Sequence, residues 1–252
     1  MRNGTDLARR PSVTETAHAI HQGNDMCYSA QIQADYRSYT RMFGAELSIH
    51  EFVKIFWLRT QDTKVRIPKA VEASFEHPVT DQEGHIKALI DEFRASQATR
   101  IEQELFAQRK RLADAERTLQ TKTTKAATES RRIASEKIEQ RKGWLADLRR
   151  QDLEERDSRI YPGSYAPVMV MENGRRVIKP MRYQCRPAGK PALYDRKFPG
   201  TYNARRDNLE GFWRDLFGFS HGVMVVNSFY ENVARHRAER RELRPGEVEE
   251  NV

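Results

Sequence analysis

The feature that most constrains this chain is the stretch from residue 86 to about 156, which holds no proline and a single glycine, Gly143. A charged run of that kind forms helix wherever nothing opposes it. Leu105, Leu112, Leu119, Ala126 and Ile133 recur at a heptad interval, but the partner positions include Gln108, Lys122 and Glu129. The seam is therefore apolar along one edge only, which predicts a long helix or a helical hairpin rather than a stable two-stranded coiled coil. The stretch reads either as a solvated spacer inserted into a domain or as an arm that binds a protein partner.

The flanks are of different character. Residues 1–25 are polar and aperiodic and read as a disordered leader. From Met26 to residue 85 the chain has globular texture: a short helix is expected over 31–43, and a second after Ser48, where Glu51 completes a capping-box pattern ahead of Phe52, Val53, Phe56 and Trp57. Residues 158–252 are β-rich. A turn at Pro162 and Gly163 feeds a strand through Val168 and Val170, and Asn173-Gly174 marks a hairpin with Val177 and Ile178 on the return strand. A short helix is expected over 207–218, then a hydrophobic strand from Gly222 to Tyr230. The expected class is α+β, with a mixed, mostly antiparallel sheet divided at 86–157 by the helical insertion.

Charged residues make up 32% of the chain and 44 Lys and Arg outnumber 36 Asp and Glu, a net charge of +8 that suits a polyanionic partner such as nucleic acid. Cys27 and Cys185 are too few for a disulfide scaffold and lack the paired spacing of a zinc site, so no metal or cofactor is expected and a reducing, cytoplasmic setting fits. There is no apolar run long enough to span a membrane.

Cys27 follows Met26 directly. Were Met26 the initiator and removed, Cys27 would carry a thiol and a free α-amine on adjacent carbons, a pair that captures aldehydes as a thiazolidine. An α-amino group with a pKa near 7.7–8.0 is partly neutral and nucleophilic at cellular pH. A lone cysteine is also commonly a small buried hydrophobe.

Four short motifs occur in one order: MCYSAQ from Met26, APV from Ala166, YNAR from Tyr202 and NSFYEN from Asn227. In that order they resemble the SOS-response-associated peptidase (SRAP) family, over about 26–43 and 158–233. The resemblance implies a mixed β fold with a groove for single-stranded DNA, in which abasic sites bond covalently to the terminal cysteine. It implies Cys27 as nucleophile, Asn203 orienting the cysteine or the opened sugar, Glu231 moving protons, and Arg205 meeting backbone phosphate. Arg205, Arg206 and Arg214 lie near Tyr194, Tyr202, Phe212 and Trp213, a mixture suited to single-strand binding, although Phe212, Trp213, Leu216 and Phe217 also have the spacing of a buried helical face. Asn203 can equally serve a turn, Glu231 face solvent, and Arg205 pair with Asp207.

The chain departs from the family pattern in three respects. Twenty-five residues precede Met26, so the expectation is that Met26 is the working start. The histidine of a His-Asp-Arg motif beyond the glutamate strand is absent, His236 lying in a charged HRAERR setting, and the chain reads as C-terminally truncated. Ser29 stands where the family carries arginine, and Pro191 and Tyr194 occupy the stretch where it carries a tryptophan pair. The other readings are a cysteine-dependent peptidase that processes itself or other chains, and a catalytically degenerate module that works through its helical arm.

Overall fold

The computed structural model describes residues 27–32, 34–187, 189–198, 201, 203–219, 221–231, 233–248 and 250. The 1–25 leader and Met26 lie outside them. The fold is α+β: two small sheets and a group of helices enclose one core, and a long helical hairpin extends from it.

Strand β1 (Cys27–Ile32) leads into helix α1 (Tyr36–Phe43). The Asp35 side chain caps α1 by accepting from the Arg37 N–H at 2.9 Å, and Gly44 ends it at φ 56°, a left-handed conformation that a Cβ disfavours. The helix expected over 31–43 is thus shorter, because its first residues belong to a strand. Strand β2 (Glu46–Leu47) precedes α2 (Ile49–Gln61), and α3 (Lys69–Ala73) follows. Ser48 does stand at the N-cap of α2, but its side chain makes no capping bond, so the expected box does not form.

Phe52 and Phe56 of α2 meet Tyr36 and Phe75 in an aromatic cluster with centroid spacings of 5.0–6.3 Å. These four rings are almost wholly buried, and rings at such distances add to stability beyond the area they remove from water. Beside them is a buried charge triad. Glu72 accepts from Arg59 and, at 2.8–3.0 Å, from Arg94, while the Arg59 guanidinium lies over Phe93 at 4.3 Å.

The helical stretch is a hairpin of α4 (Asp81–Thr121) and α5 (Lys125–Arg149). Helix α4 begins earlier than its periodicity suggests because Thr80 accepts from the Glu83 N–H at 3.2 Å. Glu83 in turn accepts from the Val79 N–H, the Tyr36 hydroxyl and the Arg37 guanidinium. The first turns of α4 are core, with Ile86, Leu89 and Ile90 buried against the α2 side. Farther out, the buried contacts are Ile101, Ala115, Ala127, Ala134 and Ile138, while Leu105, Leu112, Leu119 and Ile133 are only half buried. Alanines let the two helices close, and the Gln108 side-chain carbonyl oxygen is buried with no hydrogen-bond partner among the described residues. The return is fastened by Lys69, whose ammonium donates to the Asp147 carbonyl at 2.8 Å, and by Arg150, which bonds Asp147 and Asp157.

A 3-10 turn (Glu155–Ser158) leads to β3 (Arg159–Ile160), β4 (Tyr165–Glu172) and β5 (Arg175–Arg182). Asn173 and Gly174 turn the β4–β5 hairpin with φ of 51° and 77°, the left-handed pair a two-residue loop requires. After α6 (Leu193–Lys197), residues 206–219 form a 3-10 turn and successive further turns, not the expected helix. Trp213 is buried there, but Phe212 and Phe217 are exposed, so the expected apolar helical face is not assembled.

The hydrophobic run after residue 221 forms two strands, β6 (Gly222–Val223) and β7 (Val226–Glu231), with the short helix α7 (Arg235–Ala238) beyond. The interruption is a hydrogen bond: the Val225 N–H donates to the Tyr39 hydroxyl at 2.7 Å instead of to a neighbouring strand. One sheet has the order β3-β1-β7, all antiparallel. The other has the order β2-β5-β4-β6, in which only β2–β5 is parallel. The Tyr39 hydroxyl, 3.4 Å from the Pro167 carbonyl of β4 as well, joins the two sheets.

Candidate functional site

Strand β1 is the middle strand of its sheet, and its alternation decides what faces where. Ala30 and Ile32 enter the core with Ile160. Ser29 and Gln31 share the opposite face with Ser228, Tyr230 and Arg159, their cross-strand partners. Gln31 accepts from Ser228 at 3.0 Å. A register shift between Cys27 and Ser29 then makes Cys27 the direct Cα partner of Glu231. Residues so paired lie about 4.5–5.5 Å apart at Cα.

Beside this pair a guanidinium is held in place. Arg159 donates through Nε and Nη2 to Ser29 Oγ at 3.1 and 3.0 Å, and its guanidinium carbon lies 3.9 Å from the Tyr230 ring centroid and 5.4 Å from that of Tyr161. Ser29 is wholly buried beneath it. The Tyr230 hydroxyl donates to Glu155 at 3.2 Å, and Glu154, Glu155, Arg156, Arg159 and Tyr230 line an open cleft of about 420 Å³. Arg159 makes no ion pair among the described residues. From β3, Arg159 thus reaches the Ser29 side chain in the middle strand. A strand of two residues gives no periodicity by which to find it.

The segment holding Asn203, Arg205 and Arg206 follows Thr201. It docks on the end of β5: the Cys185 N–H donates to the Thr201 carbonyl at 2.9 Å and the Gln184 amide to the Thr201 hydroxyl at 3.1 Å. Burial pushes the Cys185 thiol up, against a backbone hydrogen bond with Ala204, and a raised thiol is a poor nucleophile at neutral pH. Asn203 is half-buried in a bend. Among the described non-glycine residues only Asn173 and Arg240 have positive φ, so Asn203 is not required there for a left-handed turn. Arg205 pairs with Asp207 at 3.1 Å, both exposed, and Arg206 is exposed. Tyr202 lies outside the described residues.

The register therefore unites Cys27 with Glu231, while Asn203, Arg205 and Arg206 occupy a separate segment. His236, in α7, has a buried Nδ1 with no hydrogen-bond partner among the described residues. Among the described residues there is no group of three or more His, Cys, Asp or Glu able to hold a metal ion, and no helix is long and apolar enough to cross a membrane. Compared with family models, curated proteins and solved structures, the chain matches none.

Proposed function

We propose that this protein acts on single-stranded DNA and bonds covalently to abasic sites through Cys27 once that residue is N-terminal, as its resemblance to the SRAP family implies. The observation that carries the reading is the pairing of Cys27 with Glu231 across β1 and β7, residues far apart in the chain. A nucleophile and a carboxylate on neighbouring strands are the groups this chemistry needs. The α-amine of Cys27 adds to the C1′ aldehyde of the opened sugar, and the carbinolamine loses water to give an imine. The thiol then adds to the imine carbon as its proton passes to nitrogen, closing a thiazolidine. Aldehyde and aminothiol are thus joined with release of one water, and no redox partner is involved.

In this reading Glu231 relays the protons, a task carboxylates perform when they are within reach of the reacting nitrogen. Asn203 orients the cysteine or the opened sugar, Arg205 and Arg206 meet phosphate, and the net charge of +8 favours the encounter. The test is incubation of protein beginning at Cys27 with a single-stranded oligonucleotide containing one abasic site. A heat-resistant protein–DNA adduct is expected, absent with Cys27→Ser and with DNA lacking the abasic site. Absence of the adduct with the unsubstituted protein rejects the proposal.

A further inference from the structure

We infer that the outer end of the α4–α5 hairpin is a second contact surface, one that takes the phosphate backbone of nucleic acid without reading sequence. The charge along the hairpin is divided. Residues 105–133, its outer end, carry eight Lys or Arg against three Asp or Glu, whereas the inner lengths 81–104 and 134–149 carry seven against nine. An excess of five positive charges thus sits at the end remote from the core.

The ion pairs follow the same division. On the inner length Arg141 bonds Glu104 and Arg149 bonds Glu102 at 2.5 Å, both across the two helices. Lys87 bonds Asp91 along α4. On the outer length Arg117 pairs with Asp114 and Arg132 with Glu129, each within one helix, and Arg132 also reaches Glu136 at the near edge of the inner length of α5. The contact that crosses the helices there is Arg111 to Ser130 Oγ at 2.9 Å, a neutral acceptor. Arg109, Lys110, Lys122, Lys125 and Arg131 are exposed and make no ion pair among the described residues.

Hairpin stability alone would favour carboxylates among these cations, as on the inner length, because like charges a turn apart repel. A polyanion supplies the missing negative charge. An acidic protein surface would do so too, but protein interfaces are anchored by buried apolar and aromatic side chains, and Phe106 is the single exposed large hydrophobic over 105–133. Phe106 is also the single exposed aromatic over that length, too few for a stacking platform, so the contact is chiefly with phosphate and accepts single or double strands. Helix α5 alone reaches about 37 Å at 1.5 Å per residue, which holds this surface clear of the core.

The test uses the full chain carrying Cys27→Ser, so that its outcome is independent of any covalent chemistry. Binding of a fluorescent single strand and of a duplex, neither with an abasic site, is measured between 50 and 200 mM salt, conditions over which phosphate contacts reveal themselves. Replacing Arg109, Lys110, Lys125 and Arg131 together by Gln is expected to weaken binding of both DNAs at least tenfold at the lower salt. The slope of log K against log salt should shrink by about three, given 0.7–0.9 per phosphate contact. Arg109→Lys with Arg131→Lys, which keeps the charge, should bind as the parent does, and circular dichroism should show unchanged helix in both variants. Unchanged affinity and slope in the Gln variant would overturn the inference, as would loss of binding in the Lys variant. Parent protein binding polyglutamate as tightly as DNA of equal charge would overturn it in favour of an acidic protein partner.

Discussion

Arg159 and Ser29 are joined by two hydrogen bonds to one oxygen, so β3 grips β1 two residues beyond Cys27. Arg159→Ala leaves a wholly buried hydroxyl without its donors and removes the cation from the face of Tyr230. A loss of about 1–3 kcal/mol in urea unfolding is expected. Arg159→Lys should recover little of it, since an ammonium cannot give the same fork of donors or lie flat on the ring. Full recovery by lysine would show that charge alone matters here.

The proposed covalent reaction assigns its proton transfers to Glu231. In protein beginning at Cys27, Glu231→Gln should slow adduct formation on the order of a hundredfold, the usual weight of one acid–base group. Its affinity for DNA lacking an abasic site should be unchanged. Arg205→Ala, which removes an exposed residue paired with Asp207, should instead weaken binding and leave the rate at saturating DNA intact. A rate unaffected by Glu231→Gln would assign the proton transfers to another group.

The triad around Glu72 predicts a large stability effect far from the site. Glu72→Gln strips the negative charge from between Arg59, which is 2% exposed, and Arg94. Breaking such a buried set by removing one partner costs about 3–5 kcal/mol. Among the described residues Arg59 Nε and Nη2 already have no hydrogen-bond partner. Thermal unfolding should register the change as a marked fall in Tm.

Acid sensitivity should trace in part to Glu83. Burial pushes its carboxyl up, but hydrogen bonds from Tyr36 and the Val79 N–H, together with the Arg37 charge, bring it below its ordinary 4.5. A carboxyl that is a stronger acid folded than unfolded contributes fully above the unfolded value and loses that contribution as pH falls through the folded one. Stability of the parent should therefore drop below about pH 4.5 more steeply than that of Glu83→Gln. Parallel curves from pH 3 to 6 would exclude Glu83 as a source.

Tyr39→Phe should loosen the join between the sheets. It deprives the Val225 N–H of its acceptor, for an expected cost of about 1–3 kcal/mol. Hydrogen exchange at Val225 should accelerate while exchange in α4 stays as it was.

The β4–β5 hairpin was legible because Asn173-Gly174 admits few alternatives, and the helical hairpin because its charged run has no breaker. Its turn was hidden: residues 122–124 are Lys-Thr-Thr, with neither proline nor glycine, and the signal was Thr124 as a helix cap, accepting from the Ala127 N–H at 3.2 Å. The heptad leucines pointed to the wrong seam because alanine, small enough for close helix approach, is barely counted as apolar by periodicity. Residues 207–218 have apolar spacing suited to a helix, yet Gly211 and Gly218 favour turns there, with Gly218 at φ 88°. The site divides in the same way. Cys27 and Glu231 stood out by motif, but their pairing depends on register between strands distant in sequence, and Arg159 carried no local signal at all.

That register has a consequence for the order in which the molecule is made. The α4–α5 hairpin closes on neighbouring sequence and can order while the chain is still growing, but β1 must wait for β7, roughly two hundred residues later. At about 5–20 residues per second the interval is on the order of ten to forty seconds. Throughout it β1 offers an open edge and Cys27 lacks its cross-strand partner. Strand β1 is thus made well before the strand that completes its sheet.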